Sequence, residues 1–372
     1  MKLLVISFAP FIKKDGNFYA YSPYIKEMEI WAKYSEEIAF ACPVLENGDG
    51  LLISEVKFPV SRLFVTKAFD VTSFPRIMSA LLFSFGNFYQ LFRAMIWADH
   101  IHLRCPGNLG LMACMVQVFF PRKTKTAKYA GNWDPKSKQP RAYNWQKWFL
   151  NNTILTKNMQ VLVYGEWEGR SKNIKPFFTA SYRDTDKISV SPRTLSQRID
   201  FIFVGTLLKE KRPIYAVKLV QNLVDKGVNA RLCLYGNGAE KSNLERYISD
   251  NQLEDVVFLR GNFDYEAMKK VYQEAHFNIL PSQSEGWPKV VAEGMFWGTL
   301  PIASAVSCVP NMLGNGSRGF LLSMDLNQDV AAILQILNNQ IQYDEMVMNG
   351  VEWSQKYTLD FFEGEIRKLL QP

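Results

Sequence analysis

Two carboxylates, Glu285 and Glu293, stand eight positions apart in the stretch PSQSEGWPKVVAEGM, residues 281–295, which follows an apolar run. By itself the spacing fits a capped helix, with Glu285 in the loop, Pro288 at the first helical position and Glu293 on a solvated face. Three further loops point to chemistry. The segment Gly205-Thr206-Leu207-Leu208-Lys209-Glu210-Lys211-Arg212 ends in two cations where a helix begins, Gly236-Asn237-Gly238 permits close backbone approach, and Arg260-Gly261-Asn262 follows a third apolar run. Together they suit a ligand that is both anionic and rich in hydroxyls. Its anion would lie on helix N-terminal amides, Lys211 and Arg212 would neutralise it, and the carboxylates would accept from the hydroxyls. A lone GxG is a weak signal, and neither GxxxxGK[ST] nor GxGxxG occurs in the chain.

Such loops need a parallel sheet to hold them. In the second half, short apolar runs at 201–205, 231–235, 256–259, 277–280 and 300–304 read as buried strands. Helical patterns at 214–226, 240–250, 265–274 and 288–296 alternate with them, which is the arrangement of a doubly wound α/β sheet. Ligands bind outside the carboxyl ends of such strands, so the four loops converge on one edge. The first half repeats the theme at 3–8, 37–41, 100–103, 126–129 and 161–164, and the domain boundary is expected in the polar, aperiodic stretch 181–197.

Composition bounds what the site can belong to. The chain has 372 residues, 48% hydrophobic and 21% charged, ordinary values for two globular domains. Met1 to Phe8 reads as a buried strand, because its apolar run is short and meets Pro10, Lys13, Lys14 and Asp15 without a cleavage site. No run approaches the roughly 18 apolar residues of a spanning helix, so a chain that is soluble, or at most lies on a membrane, is expected. The five cysteines are widely spaced without a CxxC pair, which argues for a reducing cytoplasm and against zinc. The net charge of +7 is unevenly shared: residues 1–198 carry 27 Lys and Arg against 15 Asp and Glu, and residues 199–372 carry 16 against 21. The basic residues are densest from Arg122 to Lys147, interleaved with Tyr129, Trp133, Tyr143 and Trp145 and followed by Trp148. Such a run suits nucleic acid, an anionic membrane, a phosphorylated acceptor or a plain solvated face.

The stretch from about Phe201 to Leu322 resembles the donor-binding domain of family 4 retaining glycosyltransferases of the GT-B fold. The resemblance rests on two Glu separated by seven residues, Glu285-Gly286-Trp287-Pro288-Lys289-Val290-Val291-Ala292-Glu293, with Pro281-Ser282 before them and Gly294-Met295 and Gly298 after. Leu300 to Ser304 and Ser307 to Asn311 fit the family's next strand and loop. The resemblance implies an α/β GT-B architecture, two Rossmann-like doubly wound domains facing across a cleft. Residues 1–190 would hold the acceptor, 198–354 the nucleotide sugar, and a last helix at about 355–372 would pack back on the first domain. It also implies a nucleoside diphosphate sugar as donor substrate, with no cofactor and no metal. Glu293 would accept from the ribose hydroxyls, Glu285 from the donor sugar, and the amides of Gly286, Trp287, Lys289 and Val290 would meet the diphosphate. Lys211 would stabilise the charge developing on the leaving group. Gly205, Gly236, Gly238, Arg260 and Gly261 are placed on the same edge. Three positions depart from the family's pattern: Thr206 stands where Arg is usual, Arg212 where Gly is usual, and Asn311 where Glu is common. Arg212 is read as the replacement cation.

In the first domain, Gly16-Asn17 either serves the donor phosphate or is a simple turn. The resemblance places Asn132 or Asp134 beside the transferred sugar, where many relatives have a His that this chain lacks; His100, His102 and His276 read as strand or strand-end residues. Asp184-Thr185-Asp186 imitates a metal-binding DxD without a preceding strand, so it is read as coincidence. The expected activity is retaining transfer of a hexosyl or related group to a lipid-linked or glycan acceptor in cell-surface polysaccharide biosynthesis. The alternatives are a non-catalytic sugar-nucleotide-binding module and a transferase with a soluble small-molecule acceptor. A nucleic-acid partner is not expected, since it leaves Glu285 and Glu293 without a role. The basic run, with the aromatic segment from Phe69 to Phe92, makes a cytoplasmic protein peripheral on the inner leaflet the expectation, against a buried helix for that segment.

Overall fold

The computed structural model describes residues 1–46, 52–67 and 74–371, with the side chains of 74–84 excepted. It divides into two units, Met1–Phe177 with Glu363–Pro372, and Phe178–Phe362.

Among the described residues, the first unit holds a seven-stranded parallel sheet in the order Ile174–Phe177, Met159–Tyr164, Thr124–Tyr129, His100–Cys105, Lys2–Ile6, Glu37–Cys42 and Arg62–Val65. Parallel strands are covered on both faces, and Leu3, Leu4, Val5 and Ile6 are accordingly all excluded from solvent. One strand of this core is unusual in composition. Thr124–Tyr129 buries two lysines: Lys125 Nζ donates to the Phe120 carbonyl at 3.0 Å, and Lys128 Nζ to Glu27 Oε2 at 2.9 Å. Burial pushes the Lys125 ammonium down to about 8. Burial alone would raise the pKa of Glu27, but Arg104 and Lys128 outweigh it and hold the carboxyl well below the usual carboxylate range. His100 and His102 share the Thr126 hydroxyl inside the same sheet, at 2.9 and 2.8 Å.

A small second sheet of Val44–Leu45, Phe11–Lys14, Asn17–Tyr21 and Ile53–Glu55 was not legible as strands. Its hairpin explains Gly16. Asp15 and Gly16 have φ of 51° and 82° between the paired residues Lys14 and Asn17, the two-residue turn with both φ positive that Asp-Gly favours. Of the two readings for Gly16, the geometry accounts for the turn. The aromatic segment 69–92 is helical from Phe74 to Trp97, while 68–73 and the side chains of Phe74 and Phe83 lie outside the described residues. That helix presents Leu91, Ala94 and Met95 to the core and leaves Phe85 and Tyr89 exposed.

Among the described residues, the second unit holds six parallel strands in the order Val257–Gly261, Ala230–Tyr235, Ile199–Val204, Phe277–Leu280, Leu300–Ser304 and Phe320–Leu322. Counted along the chain this is 3-2-1-4-5-6, the doubly wound order expected. The boundary differs from the expected 181–197, and of the last helix, Leu359–Leu370, only the part from Glu363 joins the first unit. The reason is that the aperiodic stretch is a strap on the second unit. The Arg193 guanidinium donates to the carbonyls of Tyr272 at 3.0 Å, Trp297 at 3.1 Å and Gly298 at 2.5 Å, and its Nε donates to that of Gln273 at 2.9 Å. The Tyr265 hydroxyl donates to the Ser181 carbonyl at 2.7 Å.

Hydrogen bonds from a charged donor contribute about 1.5–3 kcal/mol each in such settings and are not additive. Arg193→Ala is therefore expected to destabilise the protein by about 2–4 kcal/mol in chemical denaturation. Arg193→Lys recovers only part, since an ammonium lacks the planar fork. An unchanged midpoint for the alanine variant would show that the strap is held otherwise.

Candidate active site

The strand order of the second unit reverses between Ile199–Val204 and Phe277–Leu280, where a crevice opens at the carboxyl ends. The loops at 205–212 and 281–288 leave from there and are tied together. Lys211 Nζ lies 2.5 Å from Glu285 Oε1, with the carboxylate side chain 9% exposed and the lysine 30%. Beside them the Gln283 amide donates to the Glu210 carbonyl at 2.8 Å. From the next loop, the Ser307 hydroxyl at 3.2 Å and the Cys308 thiol at 3.1 Å both donate to the Gly286 carbonyl. Burial pushes Cys308 up to about 12, which keeps it a protonated donor. Pro288 is the N-cap of helix Lys289–Phe296, one position earlier than the sequence suggests. The amides of Lys289 and Val290 thus open the helix in its first turn, where no intrahelical acceptor exists.

Glu293 sits on the same helix in a different setting. Its Oε1 accepts from the Ser181 hydroxyl and its Oε2 from the Tyr272 hydroxyl at 3.1 Å. Burial first, then the Glu293 charge, raises the Tyr272 pKa, so the phenol stays a donor. A carboxylate has about four lone-pair sites, so these two donors leave room for further hydroxyls. Ser181 and Tyr272 were missed from sequence, Ser181 because it lay in the supposed linker.

Arg212 has φ 51° and ψ 47° at the N-cap of helix Pro213–Asp225. This is the left-handed region, costing a non-glycine residue about 1–2 kcal/mol, and it explains why glycine is usual there. Arg212 lines a cavity of about 500 Å³ with Ser282, Gln283, Ser304, Ser323 and Met324. Its guanidinium has no hydrogen-bond or ion-pair partner among the described residues.

Several candidates turn out to do other work. The close approach allowed by Gly236 and Gly238 brings neighbouring loops together. A Cβ on Gly236 would fall 2.0 Å from the Gly205 carbonyl oxygen, and one on Gly238 2.3 Å from that of Leu207. The Gly261 carbonyl accepts from the Gly236 amide at 2.8 Å, and the Arg260 guanidinium lies over the Phe258 ring at 4.9 Å. The Trp287 ring stacks on Trp353 at 6.0 Å with Tyr357 and Phe178 beside it, so it is the main chain of Trp287 that belongs to the helix opening. In the first unit, Asp134 Oδ1 accepts from the Lys136 amide at 2.8 Å and Asn132 Oδ1 from the Asp134 amide at 2.9 Å, consecutive side-chain turns that shape their own loop. Asp184 and Asp186 pair with Lys187 at 2.6 Å and Lys269 at 2.9 Å. No cluster of His, Cys, Asp and Glu able to hold a metal occurs among the described residues.

Residues 184–353 match the family model described as glycosyl transferases group 1. The matched stretch lies within the second unit. The chain is 31% identical over 162 residues to an uncharacterized glycosyltransferase of Haemophilus influenzae, covering 42% of the chain and 44% of that protein. It is 25% identical over 218 residues to the putative colanic acid biosynthesis glycosyltransferase WcaL of Escherichia coli, covering 55% and 53%. The chain thus spans about half the length of the curated relatives it matches. Among solved structures, HepE of Anabaena in complex with UDP superposes with a TM-score of 0.70 at 14% identity, over 100% of this chain and 99% of that one. Sucrose-phosphate synthase of Thermosynechococcus elongatus does so with a TM-score of 0.62 at 17% identity, over 99% and 98%. At such identities the likeness shows the fold, and that fold is GT-B.

The glycine reading of the second unit has a direct check. Gly236 and Gly227 both have positive φ, 141° and 87°, but a Cβ on Gly227 meets nothing within 4 Å. Gly236→Ala should lose clearly more stability than Gly227→Ala, whose cost is backbone strain of about 1–2 kcal/mol. Equal losses in parallel thermal melts would remove the loop contact as the reason for Gly236.

Proposed function

We propose that the chain transfers a hexosyl or related sugar, with retention, from a nucleoside diphosphate sugar to a lipid-linked or glycan acceptor in cell-surface polysaccharide assembly. The observation that carries this reading is the Lys211–Glu285 pair at the switch point of a group 1 domain. The diphosphate would dock on the amides that open helix Lys289–Phe296, where the helix dipole favours an anion. Lys211 would then exchange Glu285 for the diphosphate and stabilise the charge that grows on it as the glycosidic bond breaks. Arg212, unpaired beside its cavity, is the second cation, and with these two the reaction proceeds without a metal. Glu285, released from Lys211, accepts from hydroxyls of the donor sugar, and Glu293 keeps free lone pairs for the ribose. The UDP bound to HepE supports this class of donor, and the name of WcaL supports the polysaccharide context.

A peripheral site of action at the cytoplasmic leaflet belongs to the same proposal. In the first unit Phe85 is 81% exposed and Phe119 64%, with Tyr89 and Ile96 also open to solvent. Arg93 lies 5.5 Å above the Tyr89 ring. Aromatic side chains beside cations suit an anionic headgroup layer. No helix of the described residues is long and apolar enough to cross a membrane.

Lys211→Ala should lower turnover on the order of 10²- to 10³-fold, the scale of one preorganised electrostatic donor. Glu293→Ala should weaken donor binding, while Glu285→Gln should lower turnover with little change in donor affinity. The assay is release of nucleoside diphosphate in the presence of donor and acceptor. Donor binding without such release would make the protein a sugar-nucleotide-binding module. For the membrane, flotation with anionic vesicles should succeed at low salt and fail at high salt; no flotation at low salt rejects that part.

A further inference from the structure

The first unit carries a cavity of about 390 Å³ that the reading above leaves without a role. Its size falls in the range of roughly 300–1,000 Å³ usual for small-ligand sites. It lies beside the segments that follow Thr124–Tyr129 and Met159–Tyr164, one and two strands beyond His100–Cys105 and away from the first sheet's own reversal at Lys2–Ile6. Of the described residues, three tryptophans line it. Trp133 is buried and packs edge-on against Tyr129 at 5.0 Å, and the Trp167 indole N–H is fixed to the Tyr164 carbonyl at 2.8 Å. Trp148, on helix Arg141–Asn151, is 59% exposed.

The polar groups around the indoles are only partly used. Lys147 donates to the Asp134 carbonyl at 3.1 Å, and the Oδ1 atoms of Asn151 and Asn152 accept from nearby backbone amides. The Nδ2 groups of both asparagines, and the charged ends of Glu168 and Arg170, have no partner among the described residues. Flat apolar surface is thus ringed by open donors and one open acceptor.

We propose that this cavity, built from residues of the first unit alone, binds a pyranose ring of a glycan. A pyranose has one face of C–H bonds, which suits the electron-rich face of an indole, and a rim of hydroxyls that need both donors and acceptors. An acyl chain would satisfy the indoles but strip water from Glu168, Arg170 and the two amides without replacing it, which is costly. A nucleic-acid strand would stack as well, yet would bring phosphates against Glu168. The inference rests on the proposed transferase reading for the identity of the glycan, the acceptor polymer, but binding itself needs no donor. Such a site would hold a growing polymer on the enzyme and raise its effective concentration at the reaction centre.

The test is tryptophan fluorescence and saturation-transfer NMR on the full chain. The probes are di- to tetrasaccharides of glucose, galactose and N-acetylglucosamine, added without nucleotide sugar. Saturable binding is expected for at least one of them, weakened tenfold or more by Trp148→Ala, whose exposed side chain can be removed without unfolding the unit, and also by Arg170→Ala. Lys211→Ala should leave this binding intact, so a failure of the transfer reading would appear in turnover while saccharide binding persisted. No saturable binding by any member of the panel would overturn the proposal, as would binding indifferent to both first-unit substitutions or displacement of the saccharide by anionic vesicles.

Discussion

The crossing of the strand order between Ile199–Val204 and Phe277–Leu280 is the constraint on which the candidate site depends. Two neighbouring parallel strands whose helices leave to opposite sides cannot have their loops pack over one another, so a crevice opens at their carboxyl ends. The ion pair of Lys211 and Glu285 and the hydrogen bond from Gln283 to Glu210 span that crevice. A half-buried pair of this kind has little net stability to offer, because desolvation offsets much of the attraction. Chemically, either partner can exchange the other for a ligand: an anion at Lys211, or a hydrogen-bond donor at Glu285.

The two acids of the motif are kept in different environments by their neighbours. Glu285 faces a cation, whereas Glu293 faces the hydroxyls of Ser181 and Tyr272. A cation can be drawn away by a diphosphate, but hydroxyls are not, so Glu293 is held in one orientation while Glu285 is free to respond. The rest of the edge is built for rigidity. Gly205, Gly236 and Gly261 bring three loop backbones to hydrogen-bonding distance, and the Ser307 and Cys308 donors pin the Gly286 carbonyl.

The first unit solves a different problem. Its strand Thr124–Tyr129 buries Lys128 against Glu27, which Arg104 also holds. Removing one member would leave an uncompensated buried charge, so the three act as a unit that orients helix Ser22–Lys33 against the sheet. Part of the unit's positive charge therefore resides in structure, so basic composition alone overstates the charge of its surface. The exposed aromatics Phe85 and Tyr89 of helix Phe74–Trp97 do not line the tryptophan-walled cavity, so the two are distinct features of the unit.

The sequence alone determined the alternation of buried strands and helices in the second half, because continuous apolar runs of four to six residues between helical patterns have few other uses. It also placed Lys211, Arg212 and Glu285 in loops that follow apolar runs, which in a doubly wound sheet lie at the carboxyl ends of the strands. Strands such as Thr124–Tyr129 were less legible, as their lysines are buried only by virtue of distant partners such as Glu27. The strap at 181–197 has no periodicity at all, and its attachment depends on carbonyls of Tyr272, Gln273, Trp297 and Gly298, far along the chain. Only the tertiary structure decided that Gly236 and Gly238 serve loop packing, that the Trp287 ring turns to an aromatic cluster, and that Ser181 and Tyr272 hold Glu293. Each of these is a contact between segments distant in sequence, and local pattern carries no record of which distant group a side chain will meet.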